Sequence, residues 1–268
     1  MKWNKEKIIK EIRFLENKLQ RRPLKKDNSN LYCLSRKYFG TWNKMMAKAG
    51  YDVKFRQDVK IPKFSNKLSY FFGLLCTDGH IQFLPKKGKY KLIIFTSNQD
   101  EKIMIIKLIK DLFNYDASIR SKTYGFSKRP NYEIYISSKK LCQFCNSFGI
   151  PYGKKSDIIR IPKKVMGGKR NFVSHFIRGV FDGDGSIIRV GNQNLFKINM
   201  GSKNFIHDLN ALLIKLDINS ARIRQERINL WDLRINKKED IKKLYFLLYQ
   251  NNFGCFYPRK RNKWKQYI

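Results

Sequence analysis

Two aspartates, Asp78 and Asp184, have the residue type and the setting needed to bind a metal ion. Each ends an apolar segment with a glycine near its start, and each is followed directly by another glycine, Gly79 or Gly185. Carboxylates are good ligands for Mg²⁺, which keeps several waters when a protein binds it. Two cations held by carboxylates can activate a water, neutralise a phosphate and assist the leaving oxygen. The repeated motif therefore predicts one site with two acids, suited to the hydrolysis of a phosphodiester.

The two apolar segments predict helices whose C-terminal ends carry the acids. A helix C-terminus has partial negative charge that disfavours a carboxylate, and a bound cation would relieve this repulsion. Gly73 and Gly179 lack side chains, so they allow the two helix backbones to approach closely. A single Asp-Gly turn after a buried helix is common, and the prediction depends on two copies in the same context.

The repeat extends beyond the two motifs. Each motif is followed by an alternating stretch typical of a strand pair, apolar residues at helical spacing, two short strands, a closing helix and a basic tail. These elements are expected at 81–96, 100–113, 117–121, 131–137 and 139–148, and again at 187–200, 204–216, 221–225, 230–235 and 238–249. A period of about a hundred residues indicates a domain duplication. The expected fold is α+β, with two pseudo-symmetric αββαββα halves at 65–162 and 163–268.

Over residues 62–268 the chain resembles the LAGLIDADG homing endonucleases in their single-chain form with two motifs. The resemblance implies antiparallel sheets that form a DNA-binding saddle. It also implies that the last acid of each motif binds the metal, so Asp78 and Asp184, with Gly79 and Gly185, are the expected metal-site residues. The chain departs from the family pattern at Cys76, where the first acid of the motif is usual. The second motif keeps that acid, and Cys76 does not replace a metal-binding acid.

The function that the resemblance implies is site-specific cleavage of double-stranded DNA by a monomer. The expected cofactor is Mg²⁺, with Mn²⁺ able to replace it. The products would carry short 3′ overhangs, because the two acids face opposite strands across the minor groove. Two alternatives stay open: an intron RNA-splicing maturase, and a DNA-binding regulator that does not cleave. An intein is not expected, because the sequence lacks Cys or Ser at its start and a terminal His-Asn.

Other site residues follow only from the resemblance. It places a basic residue after the last helix of each half, near the phosphate that is cut. Lys155 and Lys260 are the best-matched pair, and Lys154 and Arg259 are the alternatives. It also implies a polar residue at the end of the second strand of each half that orders water. The register of this residue within 96–99 and 201–203 stays open.

The antiparallel sheets are expected to read DNA, because strands can lie in the major groove. Residues that alternate with the apolar ones on each strand are therefore candidate contacts. They are Gln82, Lys91, Ser97, Arg120, Lys122, Tyr132, Glu133, Arg189, Asn199, Arg222, Arg224, Arg227, Asp232 and Arg234.

The charge of the chain independently favours a polyanionic partner. It has 57 Lys and Arg against 21 Asp and Glu, a formal net charge of +36. Such an excess predicts strong, salt-dependent attraction to nucleic acid. A membrane is disfavoured, because no apolar run approaches the roughly 18–20 residues that span a bilayer and the basic residues are interleaved with strands.

Cysteine and histidine usage argues against other metal sites. Cys142 and Cys145 form a lone C-x-x-C without a second pair, so zinc is not expected. The three histidines form no cluster, which disfavours other nuclease types. The basic N-terminus lacks an apolar signal core, so a cytoplasmic location in a bacterium or phage, or an organellar one, is expected instead of secretion.

Residues 1–55 stand apart from the duplication. Helical spacing is present at 5–19 and 31–39, and Thr41 is placed to cap a further helix that leads into 45–49. The segment resembles a short three-helix repeat attached to homing endonucleases and thought to bind DNA. The alternative is a packing appendage without DNA contact. Residues 56–64 are the expected linker.

Overall fold

The computed structural model describes residues 3–53, 55, 57–123, 130–250 and 254–268. Residues 1, 2, 54 and 56, which belong to the expected N-terminal module and linker, lie outside the described residues. The chain divides into two compact units, Met1–Gln57 and Asp58–Ile268. Within the described residues, no helix is long and apolar enough to cross a membrane.

The first unit contains three helices, α1 (Lys5–Leu19), α2 (Ser29–Phe39) and α3 (Trp42–Lys48). Each begins at a polar residue whose side chain accepts a hydrogen bond from the backbone N–H three residues later: Asn4, Asn28 and Thr41. Such caps satisfy donors that have no partner inside the helix. The cap predicted at Thr41 is confirmed. The helices enclose a small core built from Ile8, Ile12, Leu31, Trp42, Met45, Met46 and Ala49.

The second unit contains two copies of one order of elements. The first copy comprises α4 (Asn66–Thr77), β1 (Gly79–Leu84), β2 (Lys89–Thr96), α5 (Gln99–Phe113), β3 (Ser118–Lys122), β4 (Asn131–Ile136) and α6 (Lys139–Ser147). After the short α7 (Lys163–Met166), the second comprises α8 (Arg170–Asp184), β5 (Gly185–Val190), β6 (Gln193–Met200), α9 (Lys203–Lys215), β7 (Arg222–Arg227), β8 (Leu230–Ile235), α10 (Lys238–Tyr249) and α11 (Pro258–Lys265). The predicted α+β fold with two αββαββα halves is confirmed.

Each half has one four-stranded antiparallel sheet, ordered β1-β2-β4-β3 in the first and β5-β6-β8-β7 in the second. The register places apolar residues opposite each other, for example Ile94 with Ile134 and Ile198 with Leu233. Because side chains alternate between the faces of a strand, one face of each sheet joins the core, and the other carries polar side chains together with a few apolar ones such as Ile93 and Phe95.

Two features of the second unit differ from expectation. Residues 56–64 are the expected linker, but within it Val59 is buried in the core and the Lys60 N–H donates to the Phe113 carbonyl. The basic tail of the second half contains α11, which starts with a proline and buries Trp264. A proline suits the first turn of a helix, where its missing N–H would have no partner.

The helices α4 and α8 make backbone contact at two glycines. A Cβ on Gly73 would lie 2.9 Å from the Gly179 Cα, and even closer to the Phe176 carbonyl oxygen. A Cβ on Gly179 would similarly collide with the Tyr70 carbonyl oxygen. The predicted close approach of the motif helices is confirmed, and it brings their C-terminal ends together.

Candidate active site

Asp78 and Asp184 lie at the ends of the two touching helices. Asp78 is the residue that caps α4, and Asp184 is the last residue of α8. A Cβ on Gly183 would lie 3.1 Å from an Asp78 carboxylate oxygen, so α8 passes directly beside Asp78. Both acids remain accessible to solvent at the edge of this contact.

The surroundings of the two acids disfavour negative charge. Burial, followed by the negative charge of Asp184, raises the pKa of Asp78 to about 7. Asp184 is reached by solvent but has protein packed around it, and this partial desolvation raises its pKa too. The positive charges of Lys155 and Lys260 act in the opposite direction on both acids. The four side chains therefore form one electrostatically coupled group.

The two lysines bind the ends of the motif helices. The Lys155 ammonium donates to the carbonyls of Cys76 (2.6 Å) and Thr77 (2.9 Å) at the end of α4. The Lys260 ammonium donates to the Gly183 carbonyl (3.4 Å) and contacts the Gly185 carbonyl. Desolvation lowers the pKa of both lysines.

The two alternative basic residues have other neighbours. Lys154 is exposed and lies 3.9 Å from Asp157. Arg259 pairs with Glu101 at 2.8 Å. The geometry therefore favours Lys155 and Lys260 as the pair that belongs to the two-acid site.

The positions of the first motif acid lie in the core. Asp182 is buried and accepts hydrogen bonds from the Tyr70 hydroxyl (2.7 Å) and the Tyr257 N–H (2.9 Å). In the first half this position is Cys76, which is also buried, and burial raises the pKa of its thiol to about 12. Asp182 and Cys76 are therefore buried in the core, and the two-acid site consists of Asp78 and Asp184.

The ends of the second strands serve local structure. Thr96 is buried and donates its hydroxyl to Glu101 at 2.6 Å. Asn98 caps α5, and Ser202 caps α9 while donating to the Ile159 carbonyl. Ser97 is exposed one residue beyond β2. Ser97, Gln99 and Lys203 are the exposed polar residues in these two stretches, so the residue that would order water stays open among them.

The donor set suits a hard divalent cation that keeps its water. Within the described parts of the chain, no group of three or more His, Cys, Asp and Glu side chains could hold a metal ion. Mg²⁺ is commonly bound through one or two carboxylates plus waters and phosphates, and Asp78 and Asp184 supply this number. Their raised pKa values reflect charge that a cation would neutralise. The Gly185 carbonyl, also expected at the metal, is in contact with Lys260.

The raised pKa of Asp78 predicts a pH-dependent effect of Asp78→Asn on stability. Its folded-state value of about 7 exceeds the ordinary 3.8, so its contribution to stability is full at low pH and is lost as the pH rises through 7. The amide cannot ionise. In EDTA, Asp78→Asn should therefore raise the unfolding free energy relative to wild type more at pH 8 than at pH 5, by on the order of 1–3 kcal/mol. Thermal and urea unfolding at both pH values measure this, and an equal effect at both would contradict it.

Residues 65–149 and 171–248, more than half of the chain, match the model of the LAGLIDADG-like domain. The chain belongs to the LAGLIDADG family. Each matched segment contains one LAGLIDADG motif with its acid, Asp78 or Asp184, and its first glycine, Gly73 or Gly179.

Solved structures of LAGLIDADG proteins share the fold. The homing endonuclease I-WcaI bound to its DNA recognition sequence superposes with a TM-score of 0.56 at 15% identity, covering 76% of this chain and 88% of that chain. I-DmoI in complex with DNA and Ca gives a TM-score of 0.55 at 19% identity, covering 74% of this chain and 96% of that one. At these identities the similarity shows the fold.

Curated relatives contain a similar segment inside much longer proteins. The replication factor C small subunit of Methanocaldococcus jannaschii is 31% identical over 168 residues, 62% of this chain and 8% of that protein. A probable translation initiation factor IF-2 of the same organism is 27% identical over 195 residues, 70% of this chain and 14% of that protein. The chain spans less than a fifth of these relatives' length, and the activities in their names differ from one another.

In the first LAGLIDADG half, four of the candidate DNA contacts share the solvent face of the sheet. Gln82 pairs with Lys91 across β1 and β2, and Arg120 and Lys122 lie along β3 on the face opposite Ile134. Glu133 lies between Arg120 (3.7 Å) and Lys122 (3.8 Å). The solvent face of this sheet therefore presents three basic side chains and one amide that a ligand could contact.

In the second half the solvent face carries a connected polar network. Asp232 is fully buried there under basic side chains: it accepts from Arg234 (2.7 and 2.9 Å), with Arg224 and Lys197 at 3.5 Å. The Glu226 carboxylate accepts a hydrogen bond from the Lys197 ammonium at 2.8 Å. Other members of this face are Asn199, whose amide donates to Glu226, and the exposed Arg222 and Arg227.

Two candidate contacts were assigned to the wrong face. Arg189 pairs with Asn194, and the alternation of β5 places it on the side of Ile187, facing the core side of the sheet. Tyr132 pairs with Thr96 and packs against the core. Both errors are shifts of one residue, which move a side chain to the other face of a strand.

The sequence reasoning missed three residues. Lys197 alternates with Phe196 and Ile198, so strand periodicity could have identified it. No sequence signal indicates Glu101, whose partner Arg259 lies 158 residues away. Nor does any signal indicate the buried Tyr257, whose N–H binds Asp182.

Proposed function

We propose that this chain is a monomeric, site-specific double-strand DNA endonuclease that requires Mg²⁺ or Mn²⁺. The observation that supports it most is the placement of Asp78 and Asp184 at the touching ends of α4 and α8, with Lys155 and Lys260 beside them. Both acids come from one chain, so a single copy contains the complete pair.

The partner is inferred from charge and from fold. The solvent faces of the two sheets carry Lys91, Arg120, Lys122, Lys197, Arg222, Arg224 and Arg234, and a two-stranded ribbon fits the major groove. Similar structures include I-DmoI in complex with DNA and Mn, and I-WcaI bound to its DNA recognition sequence. Arginine can donate two hydrogen bonds to guanine, so Arg120, Arg222, Arg224 and Arg234 are candidates for base recognition.

Each site residue has a distinct task in this proposal. Asp78 and Asp184 would hold the divalent cations. A bound divalent cation supplies charge neutralisation at the phosphate and an acidified water. Lys155 and Lys260 reach the same region with positive charge, where they stabilise the negative charge that develops on the phosphate. Desolvation lowers the pKa of both lysines, so each ammonium gives up its proton more readily than an ordinary lysine does.

The lysines are expected to assist cleavage without being essential for metal binding. Lys155→Met and Lys260→Met should each slow cleavage by about tenfold to a hundredfold, less than loss of an acid, because a carboxylate ligand remains on each side. Single-turnover rates with Mg²⁺ measure this. Lys154→Met, at an exposed neighbour, is the matched control and should stay near the wild-type rate. A Lys154→Met effect as large as that of Lys155→Met would contradict the assignment.

We propose that the N-terminal unit contributes DNA affinity and not cleavage chemistry. A shortened chain that begins at Asp58 keeps both halves and Val59, and it should fold and cut its site. It should bind more weakly with a shorter footprint, and each lost phosphate contact should reduce the slope of log affinity against log salt by about one. Footprinting and salt titration measure this, and unchanged affinity would show that the unit is a packing appendage.

A plasmid library that carries randomised inserts tests the proposed function. Incubation with Mg²⁺ should linearise a small subset of plasmids, and their inserts should share one sequence. The double variant Asp78→Asn/Asp184→Asn should linearise none. Retention of specific plasmids without linearisation in Mg²⁺ or Mn²⁺ would instead identify a DNA-binding regulator.

A further inference from the structure

We propose that Asp182 and Glu101 are positioning residues for Lys260, which makes the two lysines of the site unequal. The turn that carries Lys260 is bound by one carboxylate from each half, Asp182 through Tyr257 and Glu101 through Arg259. The segment after Lys155 also contacts the second half, where the Ser202 hydroxyl donates to the Ile159 carbonyl and Asp208 binds Arg160. The residues equivalent to Tyr257 and Arg259, which are Tyr152 and Lys154, instead contact the first half. The inference rests on the proposed endonuclease function. It concerns the C-terminal segment, residues 254–261, which leads into α11 and carries Lys260.

Asp182 fixes the backbone of the C-terminal segment. Its carboxylate accepts the Tyr257 N–H at 2.9 Å, and both residues are 1% exposed. The same oxygen accepts the Tyr70 hydroxyl from α4 at 2.7 Å. The Lys260 N–H in turn donates to the Tyr257 carbonyl at 3.0 Å. Hydrogen bonds to a carboxylate are shorter and stronger than neutral ones, so this one residue anchors the turn from which Lys260 projects.

Glu101 fixes the same segment from the first half. Its Oε1 accepts the Arg259 guanidinium at 2.8 Å, while its Oε2 accepts the Thr96 hydroxyl at 2.6 Å. The Glu101 side chain is 6% exposed, and its orientation is set by both contacts. The residue directly before Lys260 is therefore bound to the opposite half.

Lys155 has no equivalent of the Asp182–Tyr257 hydrogen bond or of the Glu101–Arg259 ion pair. The position equivalent to Asp182 is Cys76, whose buried thiol carries no carboxylate. Tyr152 lies three residues before Lys155, as Tyr257 lies before Lys260, but its ring stacks on Phe83 of its own half at 4.3 Å. The ammonium of Lys155 is held by two carbonyls of α4, in the same half.

This asymmetry predicts a strand-specific effect. A displacement of about 1 Å can slow a reaction by about a hundredfold when it misplaces a reacting group. Loss of the Arg259–Glu101 pair leaves the Asp182 anchor in place, so we expect about a tenfold effect on the strand that depends on Lys260. The other strand should be cut at nearly the wild-type rate, and nicked DNA should accumulate.

The experiment uses the full chain and a recovered target with a different label on each strand. Lys155→Met and Lys260→Met first identify which strand depends on which lysine. Arg259→Gln and Glu101→Gln should each slow the Lys260-dependent strand by about tenfold, and the double variant no further, because both remove one contact. Arg259→Lys should restore part of the rate. Asp217→Asn is the control, since Asp217 also pairs with an arginine, Arg170, at 3.1 Å, outside the segments that carry Lys155 and Lys260, and it should leave the strand ratio unchanged.

Equal slowing of both strands by Arg259→Gln and Glu101→Gln would overturn the inference, as would a bias toward the Lys155-dependent strand. Absence of cutting by the wild-type protein would overturn the proposed function instead. Asp182→Ala, where circular dichroism shows it folded, should slow the Lys260-dependent strand as well, and Asp182→Asn, which keeps an acceptor oxygen, should slow it less. If Asp182→Ala fails to fold, the strand ratios of Arg259→Gln and Glu101→Gln decide whether the inference holds.

Discussion

Asp78→Asn and Asp184→Asn should each lower DNA cleavage by at least about a hundredfold, the scale of losing an electrostatic catalytic group. Asparagine has nearly the same shape as aspartate, so the contact between α4 and α8 survives. It removes the charge that binds a cation. Affinity for the DNA target should stay nearly unchanged, because the basic sheet faces are untouched.

The comparison is sharpest when binding and cleavage are measured on the same protein preparation. Single-turnover cleavage with Mg²⁺ gives the rate, and gel-shift titration in EDTA gives the affinity. Asp111→Asn, at a surface acid paired with Lys67, is the control and should behave as wild type. Normal cutting of both strands by either motif variant would show that its acid has been misassigned.

Metal removal should abolish cleavage and leave DNA binding intact. In EDTA the protein should bind its target but cut it at less than about a thousandth of the rate with Mg²⁺. The reason is that none of the side chains of Asp78, Asp184, Lys155 and Lys260 can activate the attacking water as a metal ion does. Mn²⁺ should restore cutting. Cleavage in EDTA at an undiminished rate would contradict the metal-dependent mechanism.

Metal binding can also be followed without cleavage. Calorimetric titration of the DNA-bound protein with Ca²⁺ or Mn²⁺ at pH 8 should show a heat of binding that Asp78→Asn/Asp184→Asn reduces or removes. Because the pKa of Asp78 is raised to about 7 in the metal-free protein, binding should weaken and release more protons as the pH falls below 7.

The sequence predicted the architecture well because the halves repeat one another. β8 and α10 were predicted at the residues observed, Leu230–Ile235 and Lys238–Tyr249. Gly73 and Gly179 predicted the contact between the motif helices, because glycine twice at the same place in an apolar helix removes the side chains that would separate two backbones.

What the sequence did not reveal depends on contacts between distant residues. α11 was missed because its eight residues contain one large apolar side chain, Trp264, and no apolar periodicity. The Glu101–Arg259 pair joins the two halves, and no local pattern predicts such a contact. The face of Arg189 depends on strand register, which a single sequence determines only to within a residue.

Mapping the cut positions on both strands of the recovered target, at nucleotide resolution and with Mg²⁺, tests most directly whether Asp78 and Asp184 form one site. Two acids at the touching ends of α4 and α8 should produce one cut on each strand, offset to leave a short 3′ overhang. Cuts on one strand only, or breaks scattered along the DNA, would contradict the account.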